Sequence, residues 1–144
     1  MHLFRVTAIT DEVFQAFQRL IPQLTSNVPP PTRADLEALV AFEGSILLAA
    51  RIVDGGPIIG VATLSLVRAP TGVHGRLEDV IVDESVRGQG VGAALTEDVI
   101  RLAREMGANY LALTSNPRRE AANRLYKRIG FVPRDTNVYR FDIG

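Results

Sequence analysis

Residues 77–92 read Leu-Glu-Asp-Val-Ile-Val-Asp-Glu-Ser-Val-Arg-Gly-Gln-Gly-Val-Gly, and no other stretch constrains the fold as much. An apolar strand ends at Asp83, and three glycines follow within five residues. A helix then carries Val91, Leu95, Val99, Leu102 and Met106 at spacings of four, four, three and four. Glycines let a backbone turn tightly and meet a ligand with no Cβ in the way. The free N–H groups and positive dipole end of a helix start attract an anion. Strand, turn and helix together make a receptor for phosphate, above all a pyrophosphate. Stripped of its flanks, the same string is more often a plain glycine-rich turn.

The elements around this segment set the fold class. Residues 2–9 form a first strand, and Thr10 caps a helix that carries Phe14, Phe17, Leu20 and Ile21 inward and is expected to end at Pro22. After the proline run 29–31, Thr32-x-x-Asp35 imitates a capping box for a second helix with Leu36, Leu39 and Val40. Residues 45–53 and 57–67, separated by Asp54-Gly55-Gly56, read as a hairpin. A loop over 68–75 is expected to lead to the strand 76–83. Beyond the glycine turn the helix runs to about Met106 and closes on Gly107, and residues 110–114 form a strand. Asn116-Pro117 opens a last helix with Ala122, Leu125, Tyr126 and Ile129 on one face, closed by Gly130, and strands are expected at 131–132 and 138–143. Strands before the turn should be antiparallel, whereas the strand–helix–strand crossover after it demands a parallel pair. The expected fold is α/β of the α+β type: a single domain, 1–144, with a mixed, mostly antiparallel sheet flanked by helices.

Composition narrows the chemistry. With no cysteine, disulfides, thiolate catalysis and cysteine-based zinc sites are excluded. His2 and His74 are the only histidines, so no metal site is expected. The sixteen basic residues, fifteen of them arginine, balance sixteen acids, and no basic arm for nucleic acid stands out. No apolar run approaches the roughly 18 residues of a membrane span, and the start of the chain does not resemble a signal sequence. A cytoplasmic protein is expected, with neither nucleic acid nor membrane as a partner.

Three phosphate readers compete for the glycine turn. A P-loop needs Gly-Lys-Ser/Thr, and the chain has Gly92-Ala93-Ala94. A dinucleotide fold wants an acid about twenty residues on, where Tyr110-Leu111-Ala112-Leu113-Thr114 offers none. The third reader fits. Arg87-x-x-Gly90-x-Gly92 resembles the Arg/Gln-x-x-Gly-x-Gly/Ala signature of the GNAT superfamily of acetyl-CoA-dependent N-acetyltransferases. The similarity continues upstream through Val80-Ile81-Val82-Asp83 and downstream through Asn123-Arg124-Leu125-Tyr126-Lys127-Arg128-Ile129-Gly130-Phe131.

This resemblance implies acetyl-CoA as co-substrate. Backbone groups of Val80, Ile81 and Val82 would bind the pantetheine arm as if it were another strand. The amides of Arg87, Gly88, Gln89, Gly90, Val91, Gly92 and Ala93 would hold the pyrophosphate, and Asn123 would touch the arm. It also implies an amine acceptor, small molecule or peptide, and is compatible with a homodimer. Transfer would be by direct attack within a ternary complex, and the absence of a thiol for a covalent relay agrees. The alternative is a non-catalytic acyl-CoA-binding or regulatory module on the same fold.

Tyr126 stands where the family commonly has its general acid, although helical spacing alone would make it a core aromatic. Glu78 and Asp79 are the candidates for the base. A regular strand would point them to opposite faces and leave Asp79 between Leu77 and Ile81 on an apolar face, so a bulge, a partner or a task is required there. The pair is also similar to that of glucosamine-6-phosphate N-acetyltransferases. The basic run Arg118, Arg119, Arg124, Lys127 and Arg128 is ordinarily a solvated helix face, with one or two members available to the 3′-phosphate of CoA. No ligand role is assigned to Asn116 or to His74.

Overall fold

The computed structural model describes residues 1–144, which divide into two compact units, Met1–Thr114 and Ser115–Gly144. The first holds a five-stranded sheet in the order β1-β2-β3-β4-β5. Strands β1 (His2–Val6), β2 (Ser45–Arg51), β3 (Ile58–Ala69) and β4 (Gly72–Val82) pair antiparallel, and β5 (Leu111–Ala112) runs parallel to β4. The mixed, mostly antiparallel sheet is the one expected.

Helices α1 (Asp11–Leu24) and α2 (Arg33–Ala41) cover one face. Val13, Phe17, Leu20 and Leu36 pack there with Leu47, Ala49, Val61 and Ile81. Helix α3 (Val91–Glu105) covers the other through Val91, Leu95, Thr96 and Val99. Thr10 Oγ1 accepts from the Val13 amide at 3.2 Å, and Thr32 and Asp35 form the full capping box. No helix is long and apolar enough to cross a membrane.

Several boundaries differ from expectation. The first strand stops at Val6 rather than residue 9. Helix α1 continues through Pro22 to Leu24, because so near the end the missing N–H removes a single intrahelical bond while buried Leu20 and Ile21 hold the turn to the sheet. Residues 68–75 are not a loop. The ladder runs to Ala69↔Gly72, and Gly72, at φ +126°, lets the chain reverse within two residues. The strand at 110–114 contracts to the two residues of β5. Met106 is exposed beyond the end of α3, and Gly107 takes the expected left-handed conformation at φ +78°.

In the second unit, α4 spans Glu120–Ile129, starting after a turn at 117–118 rather than at Asn116-Pro117. The expected strands at 131–132 and 138–143 do not form. Alternation of Tyr139, Phe141 and Ile143 with polar neighbours gives a strand pattern, but pairing needs a second strand. These three side chains stay exposed, and Arg140 instead bonds Asp142 at 2.7 Å.

Candidate functional site

Two departures from regular pairing shape β4. The β3–β4 register shifts between Val61 and Thr63: Val61 faces Ile81, whereas Thr63 faces Glu78. The extra residue makes a bulge at Asp79, the one non-glycine with positive φ, +51°. The shift turns Leu77 toward Leu64 and Ile81 toward Val61, so the two lie on different faces. The expected apolar face around Asp79 therefore does not exist, and its side chain reaches solvent.

Partial desolvation, then the neighbouring Glu78 charge, raises the Asp79 carboxyl above its ordinary value although the residue keeps contact with solvent. Glu78 is half-exposed and accepts from Arg76 Nε at 2.9 Å. A base candidate is thus held next to an ion pair that fixes its neighbour.

The second departure lies on the other edge of β4. Strand β5 pairs with it only at Gly75↔Leu111 and Arg76↔Ala112. From Leu77 to Val82 the backbone groups turned away from β3 have no strand partner. That open edge contains Val80, Ile81 and Val82, and a ligand with amide groups can pair with it as a strand would.

The edge runs directly into the glycine turn. Asp83 is buried, 8% exposed, and its Oδ1 accepts from the Ser85 amide at 3.0 Å and hydroxyl at 2.9 Å. The Ser85 amide holds the Asp83 carboxyl below its usual value, opposed by burial and helped by the Ser85 hydroxyl and the Arg19 guanidinium. Arg87 turns back, its Nε donating to the Val82 carbonyl at 3.3 Å. Gly88 (φ +81°) and Gly90 (φ +83°) are left-handed, and a Cβ on either would meet no protein atom within 4 Å. The space in front of this backbone is open, as a phosphate cradle requires. Ala94 makes the first bond of α3, to the Gly90 carbonyl at 3.0 Å, which leaves the amides of Val91, Gly92 and Ala93 without intrahelical acceptors.

In the second unit Tyr126 is the one buried residue of α4, 6% exposed, with its ring edge-on to Phe131 at 5.7 Å. Burial raises the hydroxyl's pKa above its ordinary value, and Arg119 partly opposes this. Asn123 Nδ2 donates to the Asn116 carbonyl at 3.0 Å, so the amide braces the turn ahead of the helix. Arg118, Arg119, Arg124, Lys127 and Arg128 are all exposed. His74, back in the first unit, stacks on Tyr110 at 4.6 Å and shares a hydrogen bond with Thr71 Oγ1 at 3.3 Å.

Sequence reasoning passed over Asp83 and Arg76. A charged residue closing an apolar strand and followed by Glu-Ser carries the mark of a capping aspartate. Arg76 lies two residues from Glu78 on one strand face, the spacing of a same-side pair.

The profile of the Acetyltransferase (GNAT) family matches residues 11–131. Over 80 residues the chain is 36% identical to the glucosamine 6-phosphate N-acetyltransferase of Trypanosoma brucei brucei, covering 53% of this chain and 52% of that protein. The chain spans about half the length of the curated relatives it matches. A crystal structure of a Trypanosoma brucei acetyltransferase superposes with a TM-score of 0.77 at 26% identity, over 99% of both chains. The glucosamine-6-phosphate N-acetyltransferase of Arabidopsis thaliana shares the fold, with a TM-score of 0.78 at 17% identity over 98% of this chain and 99% of that one.

Proposed function

Because the chain belongs to the acetyltransferase (GNAT) family, we propose that it is a single-domain N-acetyltransferase that moves an acetyl group from acetyl-CoA to a primary amine. The observation that carries this is the unpaired edge of β4 at 77–82, leading into a turn whose two left-handed glycines face open space. An arm with amide groups pairs with the edge, and its pyrophosphate meets the amides from Arg87 to Ala93. The matched region, 11–131, runs unbroken across both units, which supports one domain.

In this mechanism the amine attacks the thioester carbonyl within a ternary complex. An amine of pKa about 10.4 is only about one part in 10³ neutral at pH 7. Supplying the neutral form therefore costs around 4–5 kcal/mol without a base. Asp79 takes that proton directly or through water. Its raised pKa makes it a stronger base than an ordinary aspartate, and Glu78 contributes negative charge beside it. The C–N bond forms, the tetrahedral intermediate collapses, and the C–S bond breaks. Tyr126 protonates the departing thiolate; a tyrosine hydroxyl carries its proton at neutral pH, and burial raises its pKa further. The Glu78–Asp79 pair favours a cationic acceptor. An amino sugar is the first to test, given the trypanosomal relative.

The proposal is tested by thermal shift and turnover. Acetyl-CoA at 100 times its Kd adds about 2.7 kcal/mol, or roughly 5–10 °C for a chain of this size. NAD and ATP should shift the transition clearly less, and equal shifts from NAD would overturn the assignment. Thiol release with an amine panel separates an enzyme from a binding module.

A further inference from the structure

The glycine turn has no side-chain support on its α3 side. Gly90 is the N-cap, no side chain caps the helix, and Gly88 and Gly90 face empty space. All the anchoring lies on the β4 side, and much of it comes from α1. Arg19 Nε donates to Asp83 Oδ2 at 3.2 Å, and a second arm of the same guanidinium donates to the Ile58 carbonyl at the start of β3. One helical turn on, Gln23 Oε1 accepts from the Glu84 amide at 2.9 Å. Asp83 is in turn tied to β3 by its own amide, which donates to the Ile59 carbonyl at 2.8 Å.

Arg19 and Gln23 are four residues apart and share a face of α1. The helix itself is seated by Val13, Ala16, Phe17, Leu20 and Ile21, all buried. A packed helix thus grips residues 83 and 84 at two points, four residues before the first of the glycines. The Arg19 side chain is 45% exposed, whereas the Asp83 side chain it grips is 12% exposed.

We propose that Arg19 and Gln23 are positioning residues for the cofactor loop, fixing residues 83–85 from α1 so that the downstream amides stand ready for a pyrophosphate. This rests on the acetyl-CoA reading and adds what that reading lacks, a reason why a loop of such mobile composition is pre-ordered. Neither side chain touches the cofactor. Each acts through Asp83 or Glu84, and its loss returns to binding the entropy of ordering the loop.

Binding calorimetry with two acyl donors tests it: acetyl-CoA, and S-acetylpantetheine, which has the arm but neither pyrophosphate nor nucleotide. In Arg19→Gln/Gln23→Ala, acetyl-CoA should bind on the order of tenfold more weakly, while S-acetylpantetheine keeps its parental affinity. Arg19→Lys, with the charge but without the fork that reaches Asp83 and Ile58 together, should fall between. Gln23→Ala removes two exposed hydrogen bonds, from the Glu84 amide and to the Arg19 carbonyl, and will fold, with a loss of about threefold for acetyl-CoA alone. Unchanged affinity for acetyl-CoA, or equal losses for both donors, would overturn the positioning role. Failure of the parent protein to bind acetyl-CoA would overturn the cofactor reading beneath it, an outcome visible before any variant is made.

Discussion

Gly60 on β3 links core packing to the cofactor loop. A Cβ at this position would lie 2.8 Å from Val91 Cγ1 and 3.0 Å from Leu95 Cδ1. Ordinary carbon contacts are about 3.5–4.0 Å, so Gly60→Ala places a methyl nearly 1 Å too close to the first residue of α3. Val91 is 1% exposed and Leu95 is 0% exposed. A β-branched side chain in a helix has essentially one rotamer to offer, so the helix start must move. Overpacking of this kind costs about 1–3 kcal/mol, and the reduced entropy of the unfolded chain returns about 0.4–1 kcal/mol. A net loss of about 1–2 kcal/mol should lower the Tm by roughly 3–6 °C. The same displacement shifts the amides of Val91, Gly92 and Ala93. A weakened hydrogen bond or two should then reduce acetyl-CoA affinity about 3- to 10-fold. The assay pairs thermal melting with calorimetry on acetyl-CoA. Adding Val91→Ala removes the nearer of the two colliding methyls and leaves only the flexible end of Leu95 to give way, so affinity should recover although a small cavity keeps the Tm low. A variant that loses stability yet binds acetyl-CoA like the parent would refute the reasoning, because helix packing and the phosphate amides would then be uncoupled.

Tyr126→Phe removes one oxygen and little packing, so the ring should stay against Phe131 while kcat falls about 10²–10⁴-fold. A kcat within about threefold of the parent would leave Tyr126 as a core aromatic only. Gly90→Val puts a β-branched residue at φ +83° and fills the open space before the amides, so acetyl-CoA binding should be lost in a protein that still melts cooperatively. Calorimetry showing unaltered affinity would identify the turn as ordinary. Asp79 has a pKa raised above 3.8 by burial and by Glu78. Between its unfolded and folded pKa values the folded state holds the extra proton, so this group's contribution lowers stability as pH rises through that window. Asp79→Asn should abolish that part of the pH dependence in melts from pH about 3.5 to 7 and should slow turnover. Melting profiles identical to the parent's would show that Asp79 is not desolvated.

Much of this protein was determined by local chemistry and could be read from the chain. Thr10 and Thr32 cap helices because their hydroxyls meet free amides within three residues. The Asp54-Gly55-Gly56 reversal, the left-handed Gly107 and the parallel crossover around α3 are equally short-range or follow from chirality. The glycine turn was visible for the same reason, since its composition is its function. Tertiary structure decided what depends on a distant partner. Bulging at Asp79 is a mismatch of two strands, so alternation along β4 alone misplaced Leu77 and Ile81. The open edge at 77–82 exists because β5 pairs for only two residues, a fact about β5 that β4 cannot encode. Tyr139, Phe141 and Ile143 alternate like a strand, yet form none without a second strand to complete the ladder. The grip of Arg19 on Asp83 spans 64 positions of sequence. No periodicity connects residues that far apart, and only the folding of α1 against β3 and β4 brings the guanidinium to the carboxylate.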